Sequence, residues 1–139
     1  MRTVLHTGSC LCGGVRYSVH APLAPIQLCH CRQCRKAQGS AFAANIPVAR
    51  ADFRLDTGAE LLGRYESSPG KHRVFCVRCG SPLYSERESQ PDTIRLRAGL
   101  LDGELDVRPE THAYVASKAG WWTIDDHLPQ HLHGVGAGP

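Results

Sequence analysis

Seven cysteines are the residues in this chain whose type and spacing best suit them to chemistry. They fall into three groups, which are Cys10 and Cys12, then Cys29, Cys31 and Cys34, then Cys76 and Cys79. Two residues between two thiolates, as in the last group, let a tight turn place both sulfur atoms on one tetrahedral ion. Gly80 follows that group and can adopt the positive φ that closes such a turn. This pattern predicts at least one zinc site.

The grouping also predicts how the cysteines divide between two ions. The first and last groups together make the closed set of four that a structural zinc site needs, namely Cys10, Cys12, Cys76 and Cys79. The middle group supplies three thiolates and leaves a fourth position open, as catalytic zinc sites do. Two alternatives stay open for this middle group. It could be a second structural site completed by His30 or a distant histidine, or a redox-active thiol cluster.

Length, composition and charge favour one soluble domain and disfavour several classes of partner. The chain has 139 residues, of which 21% are charged, and its net charge is +3 from 16 basic and 13 acidic side chains. This excess is too small and too dispersed to indicate nucleic-acid binding. No apolar run approaches the ~20 residues that span a bilayer, and residues 1–9 lack the features of a secretory signal. We therefore expect a cytoplasmic protein, in which cysteines more often bind metal than form disulfides.

The segments around the cysteines predict a mainly β protein of small antiparallel sheets with one short helix. Residues 32–38 lack glycine, proline and β-branched side chains and precede Gly39, so we expect the helix there. Short apolar runs separated by turn residues predict strands at 15–19, 41–48, 53–55, 61–66, 73–75, 83–85, 93–98 and 113–116. Residues 131–139 include three glycines and predict a flexible tail, which leaves 1–130 as the zinc domain.

Five ordered motifs give the chain a family resemblance. They are Cys-x-Cys-Gly-Gly at 10–14, Cys-His-Cys-x-x-Cys-Arg-Lys at 29–36, Cys-x-x-Cys-Gly at 76–80, Ser-Lys-Ala-x-x-Trp at 117–122, and Asp-His-Leu-Pro at 126–129. From about Thr7 to Gln130 the chain resembles the glutathione-dependent formaldehyde-activating enzyme family, whose domain also occurs in centromere protein V. The resemblance implies a mostly β, tent-like fold with two zinc ions. It also implies the same division into a four-cysteine structural site and a catalytic site at Cys29, Cys31 and Cys34.

The resemblance further implies an activity. The family is named for condensing glutathione with formaldehyde to S-(hydroxymethyl)glutathione, and its members are classed as carbon–sulfur lyases. We therefore expect a zinc-dependent carbon–sulfur lyase that acts on a small-molecule thiol adduct, with glutathione as the candidate thiol. A substrate thiol that entered the open zinc position would bind as thiolate and could add to an aldehyde carbon. The alternatives are a non-catalytic zinc-binding scaffold and, less favoured by the small net charge, a nucleic-acid-binding module.

Residues near the middle cysteine group offer anchors for such a substrate. Arg32, Arg35 and Lys36 could bind its carboxylates, and Ser40 begins the strand that follows. The alternative for the three basic side chains is a solvated helix face. His30 lies between two proposed ligands, where it could move a proton, bind the ion or pack beside it. Phe42, Trp121 and Trp122 are expected to cover core rather than to line a pocket.

Overall fold

The computed structural model describes residues 3–134, and the mainly β prediction is confirmed within them. Its strands belong to two sheets, and it has one α-helix, α1 (Arg32–Gln38). In chain order the strands are β1 (His6–Ser9), β2 (Arg16–Val19), β3 (Ile26–Cys29), β4 (Ala43–Ala49), β5 (Phe53–Thr57), β6 (Leu62–Ser68), β7 (Lys71–Cys76), β8 (Pro82–Arg87), β9 (Gln90–Arg97) and β10 (Pro109–Ala113).

The first of two compact units comprises residues 3–24 and 46–105. Strands β1, β2 and β5 form an antiparallel three-stranded sheet with β2 in the centre. Strands β6 to β9 form a meander in which each strand pairs antiparallel with the next. Strand β1 ends at Ser9 and strand β7 ends at Cys76, so two cysteine groups lie at strand ends in this unit.

Two cysteines are part of the hydrophobic core of the first unit. Cys10 and Cys76 are buried together with Val15, Val74 and Leu83, and Cys76 is completely inaccessible to solvent. Val74 and Cys76 lie two residues apart on β7 and therefore project from the same face of the strand. The core thus fixes the position of sulfur ligands as well as apolar side chains.

The second unit comprises residues 25–45 and 106–134 and carries the middle cysteine group. Strand β3 pairs parallel with β10 on one side and antiparallel with the start of β4 on the other. Cys29 therefore faces Ala43 in one neighbouring strand and Ala113 in the other. Helix α1 connects β3 to β4, so the cysteine group begins at a strand end and continues into the helix.

Helix α1 confirms the sequence prediction at both ends. Cys31 is the N-cap residue, and its Sγ accepts a hydrogen bond from the backbone N–H of Cys34 at 3.3 Å. Gly39 closes the helix in the left-handed conformation, with φ 59° and ψ 40°, and its N–H bonds to the carbonyl oxygen of Arg35. Arg35 and Lys36 lie in the last turn, where positive charge complements the helix dipole.

Apart from differences of up to three residues in strand bounds, the predicted strands differ from the observed strands at three places. Strands β1 and β3 were absent from the prediction, because His-Thr-Gly-Ser and Ile-Gln-Leu-Cys are short and lack a clear apolar alternation. The strand predicted at 113–116 is wrong in position, since β10 ends at Ala113. Tyr114 adopts a positive φ of 57° and Val115–Ser117 then forms a 3-10 turn.

The residues that begin the predicted tail pair with the preceding chain through their backbones. The N–H of His131 bonds to the carbonyl oxygen of His112 at 2.8 Å, and the N–H of Tyr114 bonds to the carbonyl oxygen of His133 at 2.9 Å. Residues 135–139 of the predicted tail lie outside the described residues, so the boundary at 130 stays a prediction. In the described part of the chain, no helix combines the length and apolarity needed to cross a membrane.

Candidate metal centres

The first unit brings the four cysteines of the first and last groups together. The Sγ atoms of Cys10, Cys12, Cys76 and Cys79 all lie within 4.8 Å of one another. The Cys10–Cys12 sulfur distance is 3.5 Å and the Cys12–Cys76 distance is 3.9 Å. Zn–S bonds of about 2.3 Å in a tetrahedron place sulfur atoms about 3.8 Å apart. The donor set and its spacing therefore fit a closed four-thiolate zinc site.

Two tight turns hold these four sulfur atoms in place. The N–H of Gly13 bonds to the carbonyl oxygen of Cys10 at 3.1 Å, and Gly13 adopts a φ of 77°. The N–H of Gly80 bonds to the carbonyl oxygen of Cys76 at 2.7 Å, and Gly80 adopts a φ of 80°. The positive φ predicted for Gly80 is confirmed. Each turn folds a pair of cysteines onto one side of its backbone.

Hydrogen-bond donors surround the sulfur atoms of this group. The N–H of Val15 donates to Cys10 Sγ and the Nε of Arg78 donates to Cys12 Sγ, each at 3.3 Å. The side chain of Ser81 lies 3.2 Å from Cys79 Sγ, and its hydrogen bond lowers the pKa of that thiol to about 5. Burial raises the pKa of the Cys76 thiol in the absence of metal. The donors thus favour negative charge on the Cys10, Cys12 and Cys79 sulfur atoms, whereas the buried Cys76 thiol would need the metal ion itself to favour its thiolate.

The second unit brings together the three cysteines of the middle group. The Sγ atoms of Cys29, Cys31 and Cys34 lie within 4.8 Å of one another. Cys29 is the last residue of β3, Cys31 caps α1, and Cys34 lies in its first turn with its side chain almost completely buried. Contacts with the Cys31 and Cys34 thiols, and then burial, raise the pKa of Cys29 in the absence of metal. A cation would relieve this crowding of thiols, so the donor set fits a metal ion.

No fourth donor joins this three-cysteine group within residues 3–134. Among the described residues, no histidine, aspartate, glutamate or further cysteine places a ligand atom close to all three sulfur atoms. His30 is adjacent in sequence but directs its Nε2 atom to His112 Nδ1, at 2.8 Å. The group can therefore supply three thiolates to a metal ion and leave one position for another ligand.

The four predicted substrate anchors line one cleft in the second unit. This cleft has a volume of about 380 Å³ and is lined by Arg32, Arg35, Lys36, Gly39, Ser40 and Trp121. At 100° per residue, Arg32, Arg35 and Lys36 share one face of α1, whereas Cys34 lies about 200° around the helix from Arg32. The basic cleft and the Cys34 sulfur are therefore on different faces of α1. The Arg35 guanidinium also donates to the carbonyl oxygen of Ser117 at 2.9 Å.

The two tryptophans have different surroundings. Trp122 packs edge to face on Phe42 with ring centroids 5.7 Å apart, and Phe42 in turn packs on His30 at 5.4 Å. These contacts agree with a packing role for Phe42, whereas Trp122 packs on Phe42 but remains 39% exposed. The expectation of a packing role is wrong for Trp121, which is 71% exposed and lines the cleft. It lies at a turn where the indole is directed toward solvent and the basic side chains.

A buried hydrogen-bond chain in the second unit was absent from the sequence prediction. His30 bonds to His112, and His112 Nε2 lies 3.0 Å from Asp126 Oδ2. The sequence singled out two of its members, His30 between two proposed ligands and Asp126 in the Asp-His-Leu-Pro motif at 126–129, but not their connection. The sequence did not single out His112, because an isolated histidine outside any motif has the same pattern whether it is a core residue or a functional one.

Comparison with known proteins adds relatives of similar length. The sequence profile of the glutathione-dependent formaldehyde-activating enzymes matches residues 5–117. A Halomonas elongata protein provisionally named as such an enzyme is 35% identical over 131 residues, which cover 88% of this chain and 82% of that protein. An uncharacterized lyase of Schizosaccharomyces pombe is 25% identical over 131 residues, covering 87% and 93%. A Rhodobacter sphaeroides crystal structure has a TM-score of 0.61 and 27% identity, covering 73% of this chain and 97% of its own.

The fold and the two cysteine groups define a small β protein whose thiols are arranged to bind metal ions. The profile match over residues 5–117, together with the Halomonas elongata relative, identifies the family. The chain belongs to the glutathione-dependent formaldehyde-activating enzyme family.

Proposed function

We propose that this protein is a zinc-dependent carbon–sulfur lyase that acts on a thiol adduct, with glutathione as the candidate thiol. The observation that carries the proposal is the three-cysteine group, which has no fourth protein donor within the described residues. Family membership supports the reaction class, as do one relative named as a formaldehyde-activating enzyme and another named as a lyase.

The two cysteine groups take different parts in this proposal. Cys10, Cys12, Cys76 and Cys79 would hold a structural zinc ion with protein sulfur alone, within the core of the first unit. Cys29, Cys31 and Cys34 would hold a second ion. When bound there, zinc would supply a replaceable position at which a thiol is stabilised as its thiolate.

The cleft supplies the groups that would orient a glutathione-like molecule. Glutathione carries two carboxylates separated from its thiol, so its charged groups can bind at a distance from the reacting sulfur. Arg32 and Lys36 are exposed on the cleft face of α1 and would bind these carboxylates. Arg35 is held by its bond to the Ser117 carbonyl oxygen and would act mainly as a fixed positive charge. The exposed indole of Trp121 offers an apolar surface for the peptide chain.

Exchange spectroscopy by NMR tests the proposed reaction directly. We expect the protein to accelerate interconversion of glutathione and S-(hydroxymethyl)glutathione in the presence of formaldehyde, whereas the Cys34→Ser variant should not. An exchange rate equal to that of the spontaneous reaction, in zinc-loaded protein, would contradict the proposed activity. X-ray absorption that showed four protein ligands at both zinc ions would instead favour a non-catalytic scaffold.

The role of the cleft can be tested separately with charge-removing variants. The Arg32→Gln, Lys36→Gln double variant should raise KM about two- to thirtyfold with little change in kcat, because exposed ion pairs contribute roughly 0.2–1 kcal/mol each. Arg54→Gln is the matched control, since Arg54 is also an exposed basic side chain but lies in the first unit. A KM increase in Arg54→Gln that is as large, per charge removed, as that of the double variant would show that only net charge matters.

Fluorescence gives a binding measurement that does not depend on turnover. The chain has two tryptophans, so the Trp122→Phe variant leaves Trp121 as the single reporter. Glutathione binding in the cleft should change the emission of this indole. The complementary Trp121→Phe variant should respond much less, because Trp122 packs on Phe42 rather than lining the cleft. The opposite ranking would remove Trp121 from the proposed binding site.

A further inference from the structure

A buried chain of three side chains runs through the second unit beside the three-cysteine group. His30 Nε2 lies 2.8 Å from His112 Nδ1, and His112 Nε2 lies 3.1 and 3.0 Å from the two carboxylate oxygens of Asp126. The His30 and His112 side chains are 0% and 2% exposed, whereas Asp126 reaches solvent with 42% of its side chain. Two buried imidazoles are thus connected in series to one carboxylate.

The chemistry of the three groups fixes the direction of these hydrogen bonds. An ionised carboxylate only accepts, so the Asp126 end requires a proton on His112 Nε2. The hydrogen bond from His112 lowers the pKa of Asp126, which keeps the carboxylate ionised. A neutral His112 then has a lone pair at Nδ1, which accepts from His30 Nε2–H. His30 is left with the Nε2–H tautomer and a lone pair at its buried Nδ1 atom.

Further hydrogen bonds hold each of the three residues: the two histidines through their backbones and Asp126 through its carboxylate. The N–H of His30 bonds to the carbonyl oxygen of Ala113 at 2.9 Å, next to the pairing of Cys29 with Ala113. The N–H of His112 bonds to the carbonyl oxygen of Pro129 at 2.9 Å. The carboxylate of Asp126 accepts a bond from the N–H of Leu128 at 3.0 Å, which fixes its orientation within a turn. The whole chain therefore has little freedom to rotate.

We propose that His112 and Asp126 are positioning residues for the three-cysteine site. By holding the His30 ring in one orientation and one tautomer, they hold the backbone of residues 29–31 so that the Cys29 and Cys31 sulfur atoms point to one ion. Outer hydrogen-bond partners of this kind orient metal-binding residues in many proteins. The proposal rests on the proposed function in one respect, since it requires Cys29, Cys31 and Cys34 to bind zinc.

The Asp126→Ala variant tests the proposal without emptying a buried position. We expect the zinc affinity of the three-cysteine site to fall about tenfold, the lower end of what losing an outer partner costs a metal site. The four-cysteine site should keep its zinc. Chelator competition measures the two affinities, because the ions should be withdrawn in separate phases. Asp125→Ala is the matched control and should leave both phases unchanged, since Asp125 is the neighbouring exposed carboxylate.

Nitrogen NMR of the histidine rings distinguishes positioning from a general loss of stability. Wild-type His30 should show one tautomer protonated at Nε2, and Asp126→Ala should show a mixture. Asp126→Asn should restore both the single tautomer and most of the zinc affinity, because an amide oxygen can accept the same bond from His112. Unchanged affinity and an unchanged His30 tautomer in Asp126→Ala would overturn the proposal. So would equal weakening of both zinc sites with a lowered unfolding midpoint.

The outcomes also separate this proposal from the proposed function. A wild-type three-cysteine group that bound no zinc would overturn both. A wild-type site that bound zinc but did not accelerate exchange of the glutathione adduct would remove only the activity. The affinity and tautomer changes in Asp126→Ala would then still support the positioning role.

Discussion

Replacement of Cys76 by serine is expected to prevent stable folding, whereas the same replacement at Cys34 should leave a folded protein. The two positions are matched in burial, because Cys76 is 0% exposed and Cys34 is 2% exposed. Each change places a hydroxyl where a sulfur lay, at a common cost of about 1–3 kcal/mol for an imperfectly satisfied buried polar group. Any larger difference between the variants therefore reports what each metal site contributes.

The difference should be large because the sites connect the chain at different separations. Cys12 and Cys76 are 64 residues apart, whereas Cys29 and Cys34 belong to one strand end and the following helix turn. Closing the loop between Cys12 and Cys76 costs the unfolded chain about 2 kcal/mol more in conformational entropy than closing the loop between Cys29 and Cys34. Structural zinc binding contributes roughly 10–16 kcal/mol in isolated peptides, against a total stability of roughly 5–15 kcal/mol for a typical domain. Loss of the four-cysteine site should therefore remove most or all of the free energy of unfolding.

Urea unfolding followed by circular dichroism measures this difference, with free zinc held constant by a chelator buffer. Wild-type stability should rise by about 1.4 kcal/mol for each tenfold increase in free zinc while one site is filling. Cys34→Ser should keep this dependence in the low-zinc range and lose 1–3 kcal/mol overall. Cys76→Ser should show no cooperative transition. Equal losses in the two variants, or a folded Cys76→Ser protein with normal zinc dependence, would refute the division of roles.

Two further predictions concern the first unit. The Ser81 hydrogen bond lowers the pKa of Cys79 to about 5 and so preserves its thiolate, with the stability it confers, until the pH falls toward that value. Ser81→Ala should therefore move the midpoint of acid-induced zinc release to higher pH, as measured with a zinc indicator. Gly58→Ala should cost more than about 1 kcal/mol in urea unfolding, because a Cβ would lie 2.4 Å from the Gly14 carbonyl oxygen. Gly103→Ala, also at positive φ but in open space, should cost less.

The helix and the cysteine partition show what local sequence signals can predict. Helix α1 was predictable at Arg32–Gln38 because its composition favours a helix and Gly39 provides a left-handed end. The gathering of Cys10 and Cys12 with Cys76 and Cys79 followed from ligand counting, since a closed zinc site needs four donors. The helix signal is local, and the cysteine partition depends on the known coordination number of zinc. Neither requires knowledge of the sheet topology.

The buried chain from His30 to Asp126 depends on topology and could not be predicted in the same way. Its members are 82 and 14 residues apart in sequence, and the parallel pairing of β3 with β10 brings the histidines together. The crossover from β3 to β10 contains most of the first unit, so no local sequence pattern predicts that these two strands pair. The exposure of Trp121 could not be predicted for a related reason, because two adjacent tryptophans with the same local signal differ in exposure, at 71% and 39%.

Under the proposed function, the electrostatic surroundings of the two sites would suit one to permanent closure and the other to ligand exchange. Four thiolates around a divalent zinc ion carry a formal charge of −2, and the fixed donors of Val15, Arg78 and Ser81 would offset it at the first site. Three thiolates around a zinc ion would carry a formal charge of only −1. An incoming substrate thiolate would bring the second site to the same −2. Burial lowers the pKa of His30, and the positive charges of Lys118 and Arg35 lower it further, so these two basic groups act near the second site. The positive charge of these groups could offset the charge of a bound substrate thiolate while leaving the open ligand position free for it.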